Sequence, residues 1–542
     1  MLTLPFEIIP GSTRLFTDYC AGSPSVRNYY VGHFSDPLAF ETHIGILEKR
    51  AHFRNEIADI LSEQNRRFGT PVLAQERIES LRDPKTFVVV TGQQVGLFTG
   101  PLYTLYKAMT ARHLADWLTE YFPGCRFLPL FWLESEDHDL DEAGSSAFID
   151  AENNVLEIRY EQTGETEQRN LRPVGSIPLD DRIAEIIDTI EHRFPQTDYT
   201  GEMLKTLRRA YTPGTTFTEA FVSMFHSLFP ESGIIFVDPS DSELKKLLAP
   251  VILQELETYP ASGEEVIKRS AELEERYHAQ VKPRAVNLFY LHRGGRYPIE
   301  PSEFGFFLRG TRQRFTRDEL LDIANVHPEY FSPNVLLRPI FQDFLFPTAA
   351  YIAGPAEVAY FGQLQPVYDH FQVPMPVIVP RASVTIIEPK IRKLFNKFDL
   401  PLESMFSEPE ELYAHLPRTS ATDDQIAAFD ALKRDMCACL DRLPSIGSQA
   451  FPQLAEPANE TVRNIRRYLS LFEERLMQAH RQRDTVVQRQ LEKFHLYLAP
   501  TGKPQERVYN VLTYLNRYGP SFLSRLAAEC TPFPAEHRLL FL

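Results

Sequence analysis

Cysteine is scarce in this 542-residue chain: Cys20, Cys125, Cys437, Cys439 and Cys530 are an odd number, thinly spread, with no C-x-x-C pair. That excludes a disulfide framework of the kind that staples small secreted domains. Cys437 and Cys439 fall in a helical pattern, where residues two apart point to different sides, so no shared metal or redox site is expected there. Long apolar runs are also missing. No stretch reaches the ~18 apolar residues that cross a bilayer, and the opening MLTLPFEIIPGSTRLFTDYC has neither a basic n-region nor a continuous apolar h-region. These features predict a cytoplasmic protein with no membrane partner. Positive charge is the third deficit: 57 Lys+Arg against 73 Asp+Glu leave a net charge of −16. Such a chain has no general attraction to phosphate backbones, so nucleic acid is not expected as a partner, although a local basic pocket for a nucleotide stays open.

What is present is ordinary globular material. Hydrophobic residues make 43%, aromatics 12% and charged residues 24% of the chain, enough for a sizeable core. The length suits three to four domain-sized units, or one large core with insertions. Residues 40–68 carry helix-like spacing closed by Gly69. Then the period changes: FVVV (87–90) reads as a strand, TGQQVGLFTG as a glycine-rich loop, and Pro101 opens a helical pattern. CRFLPLFWL is a second buried strand, which makes a parallel βαβ unit the natural reading. GIIFVD, TAAYIAG and MPVIV supply further strands between amphipathic helices. This alternation predicts an α/β protein with a doubly wound core. Residues 1–150 are expected to form the first part of the core with an N-terminal helix, 151–215 an insertion, and 216–388 the remainder with a second insertion at about 258–335. Residues 389–505 read as helical, and 506–542 as a segment that packs back on the core.

The helical region contains a long stripe. Ile465, Leu469, Phe472, Leu476 and Ala479 alternate spacings of three and four, and Val487, Leu491, Phe494 and Leu498 resume the rhythm after a stutter at Arg483. A helix over 460–498 would extend roughly 58 Å at 1.5 Å per residue. It cannot bury its stripe alone, and is expected to pair with TDDQIAAFDALKRDMCACL in an antiparallel hairpin, with a second copy, or with both. A homodimer through this helix is the expectation.

Three segments could carry chemistry. In the first, Gly92, Gln93, Gln94, Gly96 and Gly100 lie between a strand and a helix, where close backbone approach and unpaired N–H groups favour an anion. The segment is neither a P-loop nor G-x-G-x-x-G, and Lys107 stands two turns into the helix, within reach of such an anion. In the second, Glu134-Ser135-Glu136-Asp137-His138-Asp139 follows a strand end, where ligands of open α/β sheets bind. Carboxylates around an imidazole could hold a divalent ion, orient a base or recognise an amine. The third comprises Arg338, Gln342 and Asp343, then Gly354, Glu357 and Tyr360 at a second Gly-Pro strand-to-helix turn, with Arg381 at a further strand end, able to hold a carboxylate.

Taken together, TGQQVGLFTGPLYTLYKA, LPLFWLESEDHDLDE, LRPIFQDFLFPTAAYIAGPAEVAYFGQL and MPVIVPRASVT resemble the cysteine-adding ligases of bacillithiol biosynthesis. The resemblance implies a Rossmann-like core with connective insertions and an α-helical coiled coil. It also implies that cysteine is joined to the amine of glucosaminyl-malate as an amide. Amide formation from a free carboxylate is uphill, so ATP is the expected co-substrate. The kinship this suggests with class I aminoacyl-tRNA synthetases has no H-x-G-H or K-M-S-K-S motif behind it here, and the need for a metal is left open. His138 is the expected base, with Asp137 and Asp139 as orienting groups or as ligands of an activating ion, and Glu357 and Asp343 are expected across the crevice. Two rivals stand beside this reading: a metal-dependent nucleotide-sugar transferase, from the Asp-x-Asp at 137–139, and a coiled-coil scaffold without catalysis.

Overall fold

The computed structural model describes residues 2–161, 171–416 and 420–542. Two runs of β-branched and aromatic residues form the first strands, β1 (Thr86–Gln93) and β2 (Arg126–Leu133), buried along nearly their whole length. Near-continuous apolar strands of this kind belong to a parallel sheet covered on both faces. The crossover between them is α1 (Leu102–Tyr121). β3 (Ile235–Val237), β4 (Thr348–Ala353) and β5 (Val377–Pro380) complete a five-stranded sheet in the order β5-β4-β1-β2-β3, all parallel. The order reverses at β1. The chain winds from β1 outward through β2 and β3, then returns to lay β4 on the other side, which opens a crevice outside the carboxyl ends of these strands. Three helices border it or support it from behind: α2 (Ser242–Thr258), capped by Asp241, α3 (Arg338–Leu345) and α4 (Pro355–Phe361). This is the doubly wound α/β core expected from the alternation of strands and helices.

Two local expectations differ from the structure. Residues 40–68 are not one helix but two, Pro37–Leu47 and Arg54–Arg67. In the link, His52 Nε2 meets the Leu47 carbonyl locally at 3.2 Å and Phe53 packs on the distant Phe344, so local and tertiary contacts together override the helical spacing. The glycine-rich loop also begins later than its composition suggests. β1 runs on through Gly92 and Gln93, which pair with Trp132 and Leu133.

The core carries two insertions and a returning tail. A hairpin of Ser145–Ile149 with Val155–Arg159 leads into helices Arg182–Arg193 and Thr200–Ala210; residues 162–170 lie outside the described residues. The second insertion is a five-stranded antiparallel sheet in the order Arg314–Phe315, Gly305–Leu308, Gly295–Ser302, Leu288–His292, Phe331–Pro333. At the end of the chain, His537–Phe541 pairs with Val384–Ile387 in parallel and with Leu2–Leu4 antiparallel.

The chain divides into two compact units, residues 1–387 with 503–542, and residues 388–502. In the second, α5 (Ser420–Leu440), α6 (Leu443–Ala450) and α7 (Ala455–Leu498) follow in order. α5 and α7 run antiparallel: the rings of Phe429 and Phe472 are 5.3 Å apart, Lys433 pairs with Glu473 at 2.5 Å, and Asp441 pairs with Arg466. The antiparallel hairpin is therefore the arrangement within the chain. Leu491 and Phe494 are fully buried, with Phe494 against Phe395. The side chains of Ala479 and Arg483, where the stutter was expected, lie outside the described residues. Among the described residues no helix is long and apolar enough to cross a membrane.

Candidate functional site

A cleft of about 540 Å³ occupies the crevice at the carboxyl ends of the parallel strands. Its floor is a chain of charges. Lys107, on α1, is buried; its Nζ donates to the Gly92 carbonyl at 2.8 Å and to Gln93 Oε1 at 3.0 Å, and pairs with Glu357 at 2.5 Å. Glu357, in the first turn of α4, accepts from the Gly354 N–H at 2.7 Å and from the Tyr351 hydroxyl at 2.8 Å. Burial works to raise its pKa, but Lys107 and the Gly354 N–H hold it below the ordinary carboxylate value. Arg338 Nη2 donates to Tyr351 at 3.2 Å, and Arg338 Nε pairs with Glu134 at 3.1 Å. Burial works against its charge, but the surrounding tyrosines, Glu134 and Glu357 outweigh that and keep it cationic. Glu134, one residue beyond β2, is pushed up to about 7 by burial and by the carboxylates of Asp137 and Glu357, against the pull of Arg338.

The acidic segment forms one wall, and its members have separate tasks. Glu136 is buried in an ion pair with Lys245 of α2 at 2.7 Å, and burial pushes the carboxyl up and the ammonium down. Lys245 also donates to the Phe331 carbonyl at 2.7 Å, tying this wall to the antiparallel insertion. Asp137 accepts from the His138 N–H at 2.8 Å and from Gln94 Nε2, and lies 3.6 Å from Arg296. The His138 pKa is lowered by burial and by Arg296, and its Nδ1 is buried without a hydrogen-bond partner. Asp139 caps a short helix by accepting from the Glu142 N–H at 3.0 Å. Among the described residues no group of three or more His, Cys, Asp or Glu side chains is arranged to hold a metal ion.

The cleft brings together most of the residues that the sequence singles out. Gly92, Gln93, Gln94, Lys107, Glu136, Asp137, His138, Arg338, Gly354, Glu357, Tyr360 and Arg381 line it. Gly96, Gly100, Asp139, Gln342 and Asp343 do not. Gly96 and Gly100 answer a folding requirement instead: a Cβ on Gly96 would come within 3.0 Å of Gly100 Cα, and Gly100 has φ +71°. The anion expected at the start of α1 meets competition from the chain itself, because the Leu102 N–H donates to the Tyr509 carbonyl at 3.0 Å. Asn510 holds the same loop by donating to the carbonyls of Phe98 at 2.9 Å and Gly100 at 2.8 Å. Gln342 and Asp343 stand behind the floor: Gln342 accepts from Arg338 at 3.0 Å, and Asp343, raised to about 6 by burial, accepts from Gln342 at 2.7 Å and Tyr368 at 2.5 Å.

Other lining residues were either not singled out within a segment already in view or carry no sequence signal at all. Glu134 was in view within the acidic block, and its place at the strand end was the signal for it. Arg296 and Phe289 come from the antiparallel insertion, where the Arg296 guanidinium lies 3.9 Å from the Phe289 ring centroid, and no motif marks them. The returning tail supplies Arg507 to the cleft and Glu506 to Arg381, which pair at 2.6 Å. Lys282, Arg284 and Arg507 are exposed cations on the lining and make no ion pair among the described residues.

With this geometry in view, comparison with known proteins adds the family. Residues 4–382 match the family described as "Bacillithiol biosynthesis BshC, N-terminal Rossmann-like domain", and residues 384–542 match "Bacillithiol biosynthesis BshC, C-terminal coiled-coil domain". A protein of Chlorobaculum tepidum named "Putative cysteine ligase BshC" is 36% identical over 549 residues, covering 98% of this chain and 97% of its own. A protein of the same name from Salinibacter ruber is 37% identical over 531 residues, covering 97% and 96%.

Because folded Glu134 holds its proton up to about 7, well above the ordinary value of 4.5, the folded chain binds a proton that the unfolded chain has released. Its contribution to stability therefore declines as the pH climbs through this window. Carbon-13 NMR of glutamate-labelled protein should show one side-chain carboxyl titrating near neutral pH, lost in Glu134→Gln. If every glutamate titrates in the ordinary acidic range, the electrostatic account of the floor is wrong.

Proposed function

The chain belongs to the BshC family of bacillithiol biosynthesis, and from that premise we propose that it joins the carboxyl group of cysteine to the amine of glucosaminyl-malate. The observation that carries this reading is the charge layout of the cleft, in which largely buried, ion-paired carboxylates share the lining with three exposed cations that make no ion pair among the described residues. Glu134 and Asp137 offer negative charge to an amino group. Lys282, Arg284 and Arg507 offer positive charge to the carboxylates of a malyl group or to nucleotide phosphates. ATP is the co-substrate that this reading calls for, since a free carboxylate does not form an amide unaided in water. Trp132, Tyr103 and Tyr360 supply the apolar surface that such a site needs beside its charges. The same reading puts the enzyme in the cytoplasm, where ATP and free cysteine are supplied.

The nucleotide-sugar transferase finds less support. Its Asp-x-Asp is split between Asp137, bound to Gln94 and the His138 N–H, and Asp139, which caps a helix. A protein that only scaffolds has no use for a charged cleft at the switch point. Incubation of the purified protein with cysteine, ATP and glucosaminyl-malate should yield the mass of cysteinyl-glucosaminyl-malate, and omission of ATP should abolish it. A product that instead requires a nucleotide-sugar and manganese would replace this proposal with the transferase.

We also propose that the helical unit pairs two copies of the chain. Tyr468, Leu471 and Phe472 on α7 and Leu432 on α5 remain exposed after the two helices have packed together, and a second copy would bury them. Sedimentation should give a homodimer that Tyr468→Glu with Leu471→Glu shifts to monomer; a wild-type monomer at micromolar concentration would refute the pairing.

A further inference from the structure

We infer that Glu134 takes the proton from the substrate amine, and that Arg338 positions it. The inference rests on the amide-forming reading above and goes beyond it by assigning the base. An amino sugar arrives largely as an ammonium near neutral pH, whereas attack on an activated carboxyl needs a free nitrogen lone pair, so the site must hold a proton acceptor within reach of the amine.

The carboxylates of the cleft differ in how far they are already engaged. Glu357 is held by Lys107, the Gly354 N–H and Tyr351. Glu136 is held by Lys245 and is buried. Asp137 is shared between the His138 N–H, Gln94 and Arg296, and Glu142 is exposed at the lining with Gln94 beside it. Glu134 is paired with Arg338 through Oε1, no hydrogen bond reaches its Oε2 among the described residues, and the side chain keeps 27% of its surface exposed. Its N–H donates to the Gln93 carbonyl at 3.0 Å, which sets it beside the end of β1. A Cβ on Gly92 would press on the Trp132 carbonyl at 3.2 Å and reach ordinary contact, 3.4 Å, with Glu134 Oε1, so this carboxylate lies directly against the end of β1. The charged and titratable groups facing it are Arg338 from α3, Lys107 from α1, Glu357 and Tyr360 from α4, Tyr351 from β4, and Asp137 and Arg296 from the walls.

His138, the base expected from the sequence, is the weaker acceptor. Burial and Arg296 disfavour its protonated form. The surroundings of Glu134 act in the opposite direction, because burial and the Asp137 and Glu357 carboxylates favour its protonated form. A carboxyl poised near neutrality takes a proton readily and returns it readily.

The step balances as follows. One ammonium proton passes to Glu134 Oε2, and the freed lone pair forms the C–N bond to the carbonyl carbon of cysteine activated by ATP. The bond from that carbon to the activating phosphate oxygen breaks, and its electron pair leaves with the phosphate. The second surplus proton on nitrogen departs with that leaving group, and Glu134 releases its own proton to solvent.

The test uses two acceptor amines with the full-length protein, cysteine and ATP. Glucosaminyl-malate needs deprotonation, whereas hydroxylamine is already unprotonated at neutral pH. In Glu134→Gln, amide formation with glucosaminyl-malate at pH 7 should fall about 100-fold, shrinking as the pH rises, while hydroxamate formation falls at most about threefold. Arg338→Lys should move the acidic limb of the pH–rate profile upward, a readout that a purely structural role would leave in place. If wild-type protein forms no amide from cysteine and ATP, the amide-forming reading fails and this inference goes with it. If wild-type protein is active and Glu134→Gln stays within about threefold of it on glucosaminyl-malate, or loses both acceptors equally, the inference alone is overturned.

Discussion

A buried ammonium has to be matched by opposite charge or by carbonyl oxygens, because desolvation without compensation costs several kcal/mol. Lys107 meets that condition through Glu357 at 2.5 Å, the Gly92 carbonyl at 2.8 Å and Gln93 at 3.0 Å. These partners come from opposite sides of the switch point: Gly92 and Gln93 end β1, and Glu357 opens the helix after β4. The pair thus fixes the separation of the two strand ends between which the cleft lies. Arg338 extends the arrangement through Tyr351 to Glu134 at the end of β2. Removing one member would leave its neighbours charged and buried, so the floor behaves as one unit.

The walls of the cleft are built from distant parts of the chain, each tied in by a polar contact. Lys245 binds Glu136 and the Phe331 carbonyl, which joins the acidic wall to the antiparallel insertion. Glu506 binds Arg381 at 2.6 Å, and also accepts from Ser383 at 3.0 Å and the Val384 N–H at 3.0 Å, so the returning tail sets the position of a cleft guanidinium. Asn510 holds the loop before α1. The insertion and the tail therefore help to complete the cleft as well as to cover the core.

Much of this was legible from the sequence wherever a local rule applies. Buried strands such as FVVV and FLPLFWL announce a parallel sheet, and the strand-end rule directs attention to Gly92–Gln94, Glu134–His138 and Gly354–Glu357. Lys107 was placed correctly two turns into its helix, but its partner Glu357 is 250 residues away, and no spacing rule connects them. The glycine loop misled for a related reason. Three glycines resemble a ligand cradle, yet Gly96 and Gly100 are required by the loop's approach to itself, and the helix start is met by Tyr509. Arg296, Phe289, Glu506 and Arg507 carry no motif, because their roles exist only once the insertion and tail have folded onto the core.

The central claim is that the family's chemistry takes place in the cleft at the carboxyl ends of β1, β2 and β4. Hydrogen–deuterium exchange of the full-length protein, with and without cysteine, ATP and glucosaminyl-malate together, tests it most directly. The account predicts protection concentrated at residues 92–94, 134–138 and 354–357. Protection confined to the separate cavity lined by Ser232, Leu515 and Leu523, or to α5 and α7, with these three segments unchanged, would contradict it.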